Sequence, residues 1–253
     1  MIGPRPPEPL RDVTALVARY DDDFLRAEAD PQRVTSCWAL GEAVGWVTSS
    51  RRVPGRAHLV GLGDDRDAAD LLLALADEHG IASVTLPRDA DRHLPAHRLD
   101  PRNDWEWFVT RTPPPAQPGE DAVAWLAPSP ETDAELIDLL RAWSPRHDVD
   151  PGQPSVRRWA GLRDERGTLV AAAAHTEHRA GVPHLASVVT HGEHRGQGLG
   201  AAVCAWVTRS LLAEGTGWVT LGMYSDNDVG RRLYRRLGFI GDHHFTSGRL
   251  LER

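Results

Sequence analysis

The stretch that most constrains this chain is an apolar run that ends in a glycine-rich turn. Leu185–Thr190 reads Leu-Ala-Ser-Val-Val-Thr, which is typical of a buried strand, and Arg195-Gly-Gln-Gly-Leu-Gly200 follows after a short turn. Beyond this turn, apolar residues recur at helical spacing, from Leu199 through Val203 to Val207. The sequence therefore predicts a strand, a glycine-rich loop and a helix, in that order.

The loop has the chemistry of an anion site. Glycines let main-chain N–H groups approach a ligand closely, and the start of a helix adds unpaired N–H groups and a partial positive charge. Arg195 adds a full charge. We interpret residues 195–200 as a cradle for a diphosphate. The loop is not a P-loop, because no Gly-Lys-Ser/Thr follows. A dinucleotide-binding oxidoreductase is disfavoured, because repeated strand–helix units do not follow.

A second motif follows at a short distance. After an apolar strand predicted over Val219–Met223, the chain reads Asn227-Asp-Val-Gly-Arg-Arg-Leu-Tyr-Arg-Arg-Leu-Gly-Phe239. In order and separation, the two motifs resemble the GNAT superfamily of acyl-CoA-dependent N-acyltransferases over residues 169–245. The resemblance implies an N-acetyltransferase that uses acetyl-CoA (coenzyme A) and acts on a primary amine of a small molecule or peptide. An acyl-CoA-binding regulatory module without turnover is the alternative.

The resemblance also assigns roles to residues. The family's loop holds the coenzyme diphosphate, which here gives Arg195, Gly196, Gln197, Gly198, Leu199 and Gly200. The preceding strand and the second motif contact the pantetheine arm, which gives Val188, Thr190, Asn227 and Gly230. Tyr234 takes the place of the family's tyrosine that protonates the leaving thiolate. In this fold, the segment Trp143–Gly152 borders the acceptor cleft, with a surface loop as the alternative reading.

The residues of the second motif also allow structural roles. Asn227 is a favoured helix N-cap, and a helix is predicted over Asp228–Leu237 with Gly238 as its stop. Its core-facing row is predicted to be Val229, Leu233 and Leu237. Tyr234 lies four residues after Gly230, on the same side, and a core tyrosine is the alternative to a general acid.

The general base stays open. Many relatives carry a glutamate on the strand before the loop, and Leu185–Thr190 contains none. The neighbouring candidates are His175, Glu177, His178, His184 and Glu193, and the amine arriving already neutral is a further alternative. Two His-x-x-His pairs, at 175–178 and 191–194, lack a third ligand at suitable spacing, so no metal site is predicted.

Thr112–Gly119 is rich in proline and divides the chain nearly in half. Each half reads as helix, three strands, helix and further strands, and Phe239–Ser247 is expected to close the second. We therefore predict a mixed α/β fold of two tandem GNAT-like domains, residues 1–116 and 117–253. The first is degenerate, because Gly61-Leu-Gly-Asp-Asp-Arg-Asp67 puts carboxylates where a diphosphate would lie. It would then serve packing, homodimerisation or substrate shaping.

Composition narrows the setting of the protein. The net charge is −7, which offers no general attraction to nucleic acid or to an anionic membrane. No apolar run approaches membrane length. The two cysteines lie in apolar segments, so a disulfide framework is not expected and a cytoplasmic location is.

Overall fold

A computed structural model describes residues 6–50, 55–94, 97–179 and 181–252. The elements of the first half are β1 (Glu8–Leu10), α1 (Val13–Arg19), α2 (Asp23–Glu28), β2 (Val34–Leu40), β3 (Ala43–Ser49), β4 (Ala57–Leu62), α3 (Asp65–Leu75), β5 (Ile81–Pro87), β6 (His97–Leu99) and β7 (Asn103–Thr110). The elements of the second half are β8 (Val123–Trp125), α4 (Pro130–Trp143), β9 (Val156–Arg163), β10 (Leu169–Arg179), β11 (Val182–Thr190), α5 (Leu199–Ala213), β12 (Val219–Tyr224), α6 (Asp228–Arg236) and β13 (Ile240–Glu252). The mixed α/β class predicted from the sequence is confirmed.

The chain forms two compact units that draw on both halves of the sequence. The first comprises the described residues up to Trp107 together with Met223–Asn227 and the residues from Asp242 onward. The second comprises Phe108–Gly222 and Asp228–Gly241. Each unit is thus built from segments that are distant in sequence.

In the first unit the strands follow the order β1-β2-β3-β4-β5-β13. Strands β4 and β5 are parallel and are joined through α3, whose leucines pack on the sheet to form the core. The sequence assigned Phe239–Ser247 to closing the second half, and this was wrong for the greater part of the strand. Phe245 of β13 pairs with Pro87 of β5 and Arg249 pairs with Ser83, so β13 extends the first sheet.

In the second unit the strands follow the order β12-β11-β10-β9-β8. Helix α4 packs its leucines against residues of β9, β10 and β11, among them Trp159, Ala172 and Val189. Helix α5 connects β11 to the parallel strand β12. This unit contains a strand, a glycine-rich loop and a helix in the predicted order, as β11, residues 195–200 and α5.

Among the described residues, no helix is long and apolar enough to cross a membrane.

Candidate functional site

Strand β11 carries a bulge just before the loop. Ala186 pairs with Ala174 of β10 and Val189 pairs with Ala172, so two residues of β11 stand opposite one residue of β10. The first of the two, Ser187, has a φ of 48°. On the other side, pairing with β12 ends at Leu185, which is opposite Leu221. The main chain of β11 after Leu185 is therefore open along its β12 side.

The loop exposes a cluster of main-chain donors. Gly196 and Gly198 have φ values of 77° and 84°. A Cβ built on either glycine would meet nothing within 4 Å, so the space above the loop is open. Gly198 is the N-cap of α5 and provides no side-chain cap. In the described structure, the amides of residues 196–201 donate no hydrogen bond to another residue. Such a cluster suits an anion.

Arg195 ties the loop to neighbouring elements. Its Nη2 donates to the carbonyl oxygen of Trp143 at 2.8 Å, and its Nε lies 3.4 Å from the carbonyl oxygen of Thr190. Its guanidinium also lies 5.7 Å from the centroid of the Trp143 ring. Because a guanidinium has five N–H groups, donors remain for an anion, and the side chain is exposed. The predicted contact with a diphosphate stays a prediction.

Gly192 is a positioning residue that sequence reasoning missed. A Cβ at this position would lie 2.0 Å from the Trp143 ring, so only glycine lets the end of α4 pack beneath the loop. The ring of His191 packs on the same indole, with centroids 4.8 Å apart. In the sequence, Gly192 is a lone glycine between a strand and a glycine-rich motif, which indicates close packing at that position. It does not indicate that the Trp143 ring is the group packed there.

Helix α6 turns a different face to the core from the one predicted. Val229, expected to be buried, is 71% exposed. Leu237 is buried as predicted, together with Gly230 and Tyr234, at the spacing i, i+4 and i+7. The aromatic ring and the small glycine therefore face inward together. The predicted row is wrong at Val229, and Leu233 is half-buried. The pairing of Tyr234 with Gly230 on one side of the helix is confirmed.

The environment of Tyr234 keeps its phenol protonated. The ring packs near Phe108 and Phe239, with centroids 6.2 and 6.1 Å away. Burial raises the pKa of the Tyr234 phenol far above its ordinary value of 10, and the neighbouring Cys204 thiol of α5 adds to this shift. Its oxygen has no hydrogen-bond partner among the described residues. The group is thus a protonated phenol with a hydroxyl that no neighbouring residue occupies.

The base candidates occupy varied surroundings. His184 is buried, with its Nδ1 2.9 Å from Thr220 Oγ1. His175 is also buried, and its Nε2 lies 3.8 Å from Glu177 Oε1. Burial, assisted by the charge of Arg158, lowers the pKa of the His175 imidazole to about 4. Glu193 is exposed beside the loop.

Two residues with predicted roles remain to be placed, His178 and Asn227. The side chain of His178 lies outside the described residues. Asn227 is exposed directly before α6, and its main-chain N–H donates to Tyr224 O at 3.0 Å. In the described ranges, no group of three His, Cys, Asp or Glu could hold a metal ion.

In the first unit, the main-chain amides at the start of α3 are already bonded to a side chain of the same turn. Asp64 Oδ1 accepts from the amides of Arg66 at 2.9 Å and Asp67 at 3.1 Å, which caps α3. Asp67 Oδ2 in turn accepts from the amide of Glu42 at 2.8 Å. A Cβ at Gly63 would lie 2.1 Å from Glu42 O, so this turn is closed as well as acidic. It offers no open cluster of donors like that at 196–201.

Comparison with known proteins agrees with the geometry of the second unit. Residues 120–239 match the model of the acetyltransferase (GNAT) family. The matched segment resembles a GNAT domain and spans a little under half of the chain. It carries the loop at 195–200 and Tyr234, and the match supports an N-acetyltransferase enzyme whose acyl donor is acetyl-CoA. No curated protein matches the chain.

Solved structures resemble this chain over almost its whole length. A GNAT-family protein from Novosphingobium aromaticivorans is 20% identical, with a TM-score of 0.56, and the match covers 93% of this chain and 99% of the other. A GCN5-related N-acetyltransferase from Kribbella flavida is 21% identical, with a TM-score of 0.52 and coverage of 95% and 96%. A GNAT acetyltransferase from Colwellia psychrerythraea is 11% identical, with a TM-score of 0.53 and coverage of 98% and 100%. At these identities the likeness is one of fold.

Proposed function

We propose that this protein transfers the acetyl group of acetyl-CoA to a primary amine of a small molecule or a peptide. The observation that carries the proposal is the open cluster of unpaired amides at 196–201 within the segment that matches the GNAT family. Amides at a helix start that no side chain caps require a ligand or water, and here the adjoining arginine favours a negative ligand. A diphosphate meets both conditions.

The residues proposed to hold the coenzyme form three groups. The diphosphate would bind at the loop, through Arg195, Gly196, Gln197, Gly198, Leu199 and Gly200. The pantetheine arm would pair with the open side of β11, through the main chain of Val188 and Thr190. Asn227 and Gly230 would border the same arm at the start of α6. The support for the second group is that β11 loses its pairing with β12 after Leu185, which leaves main-chain groups available for a ligand.

The chemical step proposed for a side chain of this protein is the donation of one proton to the leaving thiolate. Acetyl-CoA supplies a thioester whose carbonyl carbon accepts the amine nitrogen as its C–S bond breaks. The Tyr234 phenol would give its proton to the departing sulfur, since its raised pKa keeps it protonated. An N–H of the bulge at Val188 would face the carbonyl oxygen. A protonated amine loses one proton to water before it binds. The attacking nitrogen loses a second proton as the amide forms, and that proton returns through water to the Tyr234 phenolate.

We further propose that the halves predicted from the sequence, residues 1–116 and 117–253, are tandem GNAT-like domains, that the second half lends strand β13 to the sheet of the first, and that the first domain does not bind coenzyme A. The support is chemical: the carboxylate of Asp64 already accepts the amides at the start of α3. A second negative group would be repelled there. A cytoplasmic location accords with the two buried free cysteines, Cys37 and Cys204.

Release of free thiol from acetyl-CoA across a panel of primary amines tests the function. We expect release that depends on one class of amine, with a product whose mass is increased by one acetyl group. Tight binding of acetyl-CoA with no release across the panel would contradict an enzyme and favour a regulatory module. The same assay on the Gly198→Ala variant separates site-dependent release from background hydrolysis.

A further inference from the structure

Ser187 is held in a backbone conformation that a serine does not adopt without support. Its φ of 48° lies in the left-handed region, which costs a non-glycine residue free energy. Ser187 is 9% exposed and stands at the bulge of β11, where the strand leaves β12. Contacts from outside the strand must therefore hold the bulge in place.

The contact is made by a single residue of the segment that follows α4. The amide of Val149 donates to Ser187 Oγ at 2.9 Å, and Ser187 Oγ donates to the carbonyl oxygen of Val149 at 3.0 Å. Val149 is itself buried. One hydroxyl thus satisfies both main-chain groups of Val149 and joins residues 144–150 to the bulge. We call this pair of hydrogen bonds the Ser187 latch.

The segment that the latch holds has its own internal bonds. His147 places Nδ1 2.8 Å from Ser144 O and Nε2 2.8 Å from Asp150 Oδ1. The residue directly before this segment is Trp143, and its carbonyl oxygen accepts a hydrogen bond from Arg195 of the loop. The segment is therefore fixed to the loop at one end and to the bulge at the other.

We propose that Ser187 is a positioning residue for acyl transfer, whose latch holds the bulge of β11 and couples it to residues 144–150. This inference rests on the proposed function, because it assumes that a ligand arm pairs with the main chain after the bulge. A ligand that pairs there stabilises the bulge, and the latch passes that stabilisation to Val149. Coupling is reciprocal, so an ordered segment 144–150 in turn favours the bound arm.

Hydrogen exchange of the full-length protein tests the latch with acetyl-CoA as the probe. In the wild type, acetyl-CoA should slow exchange in a peptide spanning 146–150. In Ser187→Ala and Ser187→Gly, that peptide should exchange about fivefold faster without ligand, the factor expected for one lost buried hydrogen bond. Acetyl-CoA should then no longer slow it. Glycine adopts a φ of 48° freely, so Ser187→Gly removes the hydroxyl even if Ser187→Ala folds poorly.

Thr176→Val is the matched control, because Thr176 Oγ1 donates a buried hydrogen bond to His184 O in the same sheet. It should leave exchange at 146–150 unchanged. For the amine found by thiol release, the Ser187 variants should lower kcat at least tenfold and raise the Kd of acetyl-CoA severalfold, because the coupling is reciprocal. Failure of the wild type to bind acetyl-CoA would overturn the proposed function and the latch together. Binding with protection at 146–150 that persists in Ser187→Gly would overturn the latch alone.

Discussion

At the residue scale, burial sets the chemistry of the titratable groups in the second unit. Tyr234 is enclosed by Phe108 and Phe239, and Cys204 lies nearby on α5. Burial raises the pKa of the Cys204 thiol to about 12, so it stays protonated and inert near neutral pH. The phenol is likewise held in its proton-donating form. Of the two buried groups, only the phenol has chemistry that acyl transfer uses.

Replacement of Tyr234 by phenylalanine should remove the proton donor and little else. We expect kcat to fall by about 100-fold, within the range measured for general acids, while the Kd of coenzyme A is unchanged. Steady-state thiol release and calorimetric titration measure the two quantities. Tyr20→Phe, the same change in the first unit, is the control. Unaltered turnover, under conditions where the chemical step limits the rate, would remove the role of Tyr234.

His175 should make the stability of the protein depend on pH. Neither ring nitrogen of His175 has a hydrogen-bond partner among the described residues. Burial and the charge of Arg158 lower the pKa of the imidazole by more than the carboxylate of Glu177 raises it. The folded pKa of about 4 lies below the ordinary 6.5. The unfolded chain therefore binds more protons between these values, and stability is lost as the pH falls through that window. The loss between pH 7 and pH 5 should be about 2 kcal/mol.

Urea unfolding of the wild type and of His175→Leu at pH 7 and pH 5 measures this contribution. The variant should lose less free energy of unfolding between the two pH values than the wild type does. An equal loss in both proteins would show that other groups cause the pH dependence.

At the scale of elements, the unit of strand, loop and helix was predictable because its signals are local. The apolar run predicted as a strand over Leu185–Thr190 lies within β11, Val182–Thr190. Glycines and a helical period placed the start of α5 at Leu199. Helix α2 was missed, because its six residues are too few to show a period, although Asp22 caps it.

Other features depend on contacts that are distant in sequence and could not be predicted. The face that α6 buries is set by its neighbours, such as Phe108 beside Tyr234, and not by its apolar residues, since Val229 is exposed. The pairing of β13 with β5 joins residues more than a hundred positions apart. The Ser187 latch needs both a bulge and a loop, and a single serine in an apolar strand indicates neither.

Substitution at the two ends of α5 separates binding from backbone strain. Gly198 and Gly215 flank this helix with φ values of 84° and 86°, and both face open space. Alanine at either should cost about 1 kcal/mol of stability, because the left-handed conformation disfavours a Cβ. Only Gly198→Ala should also weaken coenzyme A, by tenfold or more, because its methyl group stands where the diphosphate would approach. Calorimetry and urea unfolding distinguish the two effects. Equal affinities in both variants would contradict the role of the loop.

At the scale of the whole molecule, the two units differ at the starts of α3 and α5, the helices that join their parallel strands. Helix α5 begins after an uncapped glycine with free amides, whereas α3 begins after Asp64, whose carboxylate accepts its first amides. The family match covers residues 120–239 and therefore only the part of the chain with the open helix start. We therefore predict one coenzyme binding site per chain.

A crystal structure of this chain with coenzyme A would show directly where the diphosphate binds. We expect one coenzyme per chain, with diphosphate oxygens within hydrogen-bond distance of main-chain amides between Gly196 and Gly200 and the sulfur beside Tyr234. A coenzyme bound instead at the start of α3, or a diphosphate that makes no contact with residues 195–200, would contradict this expectation.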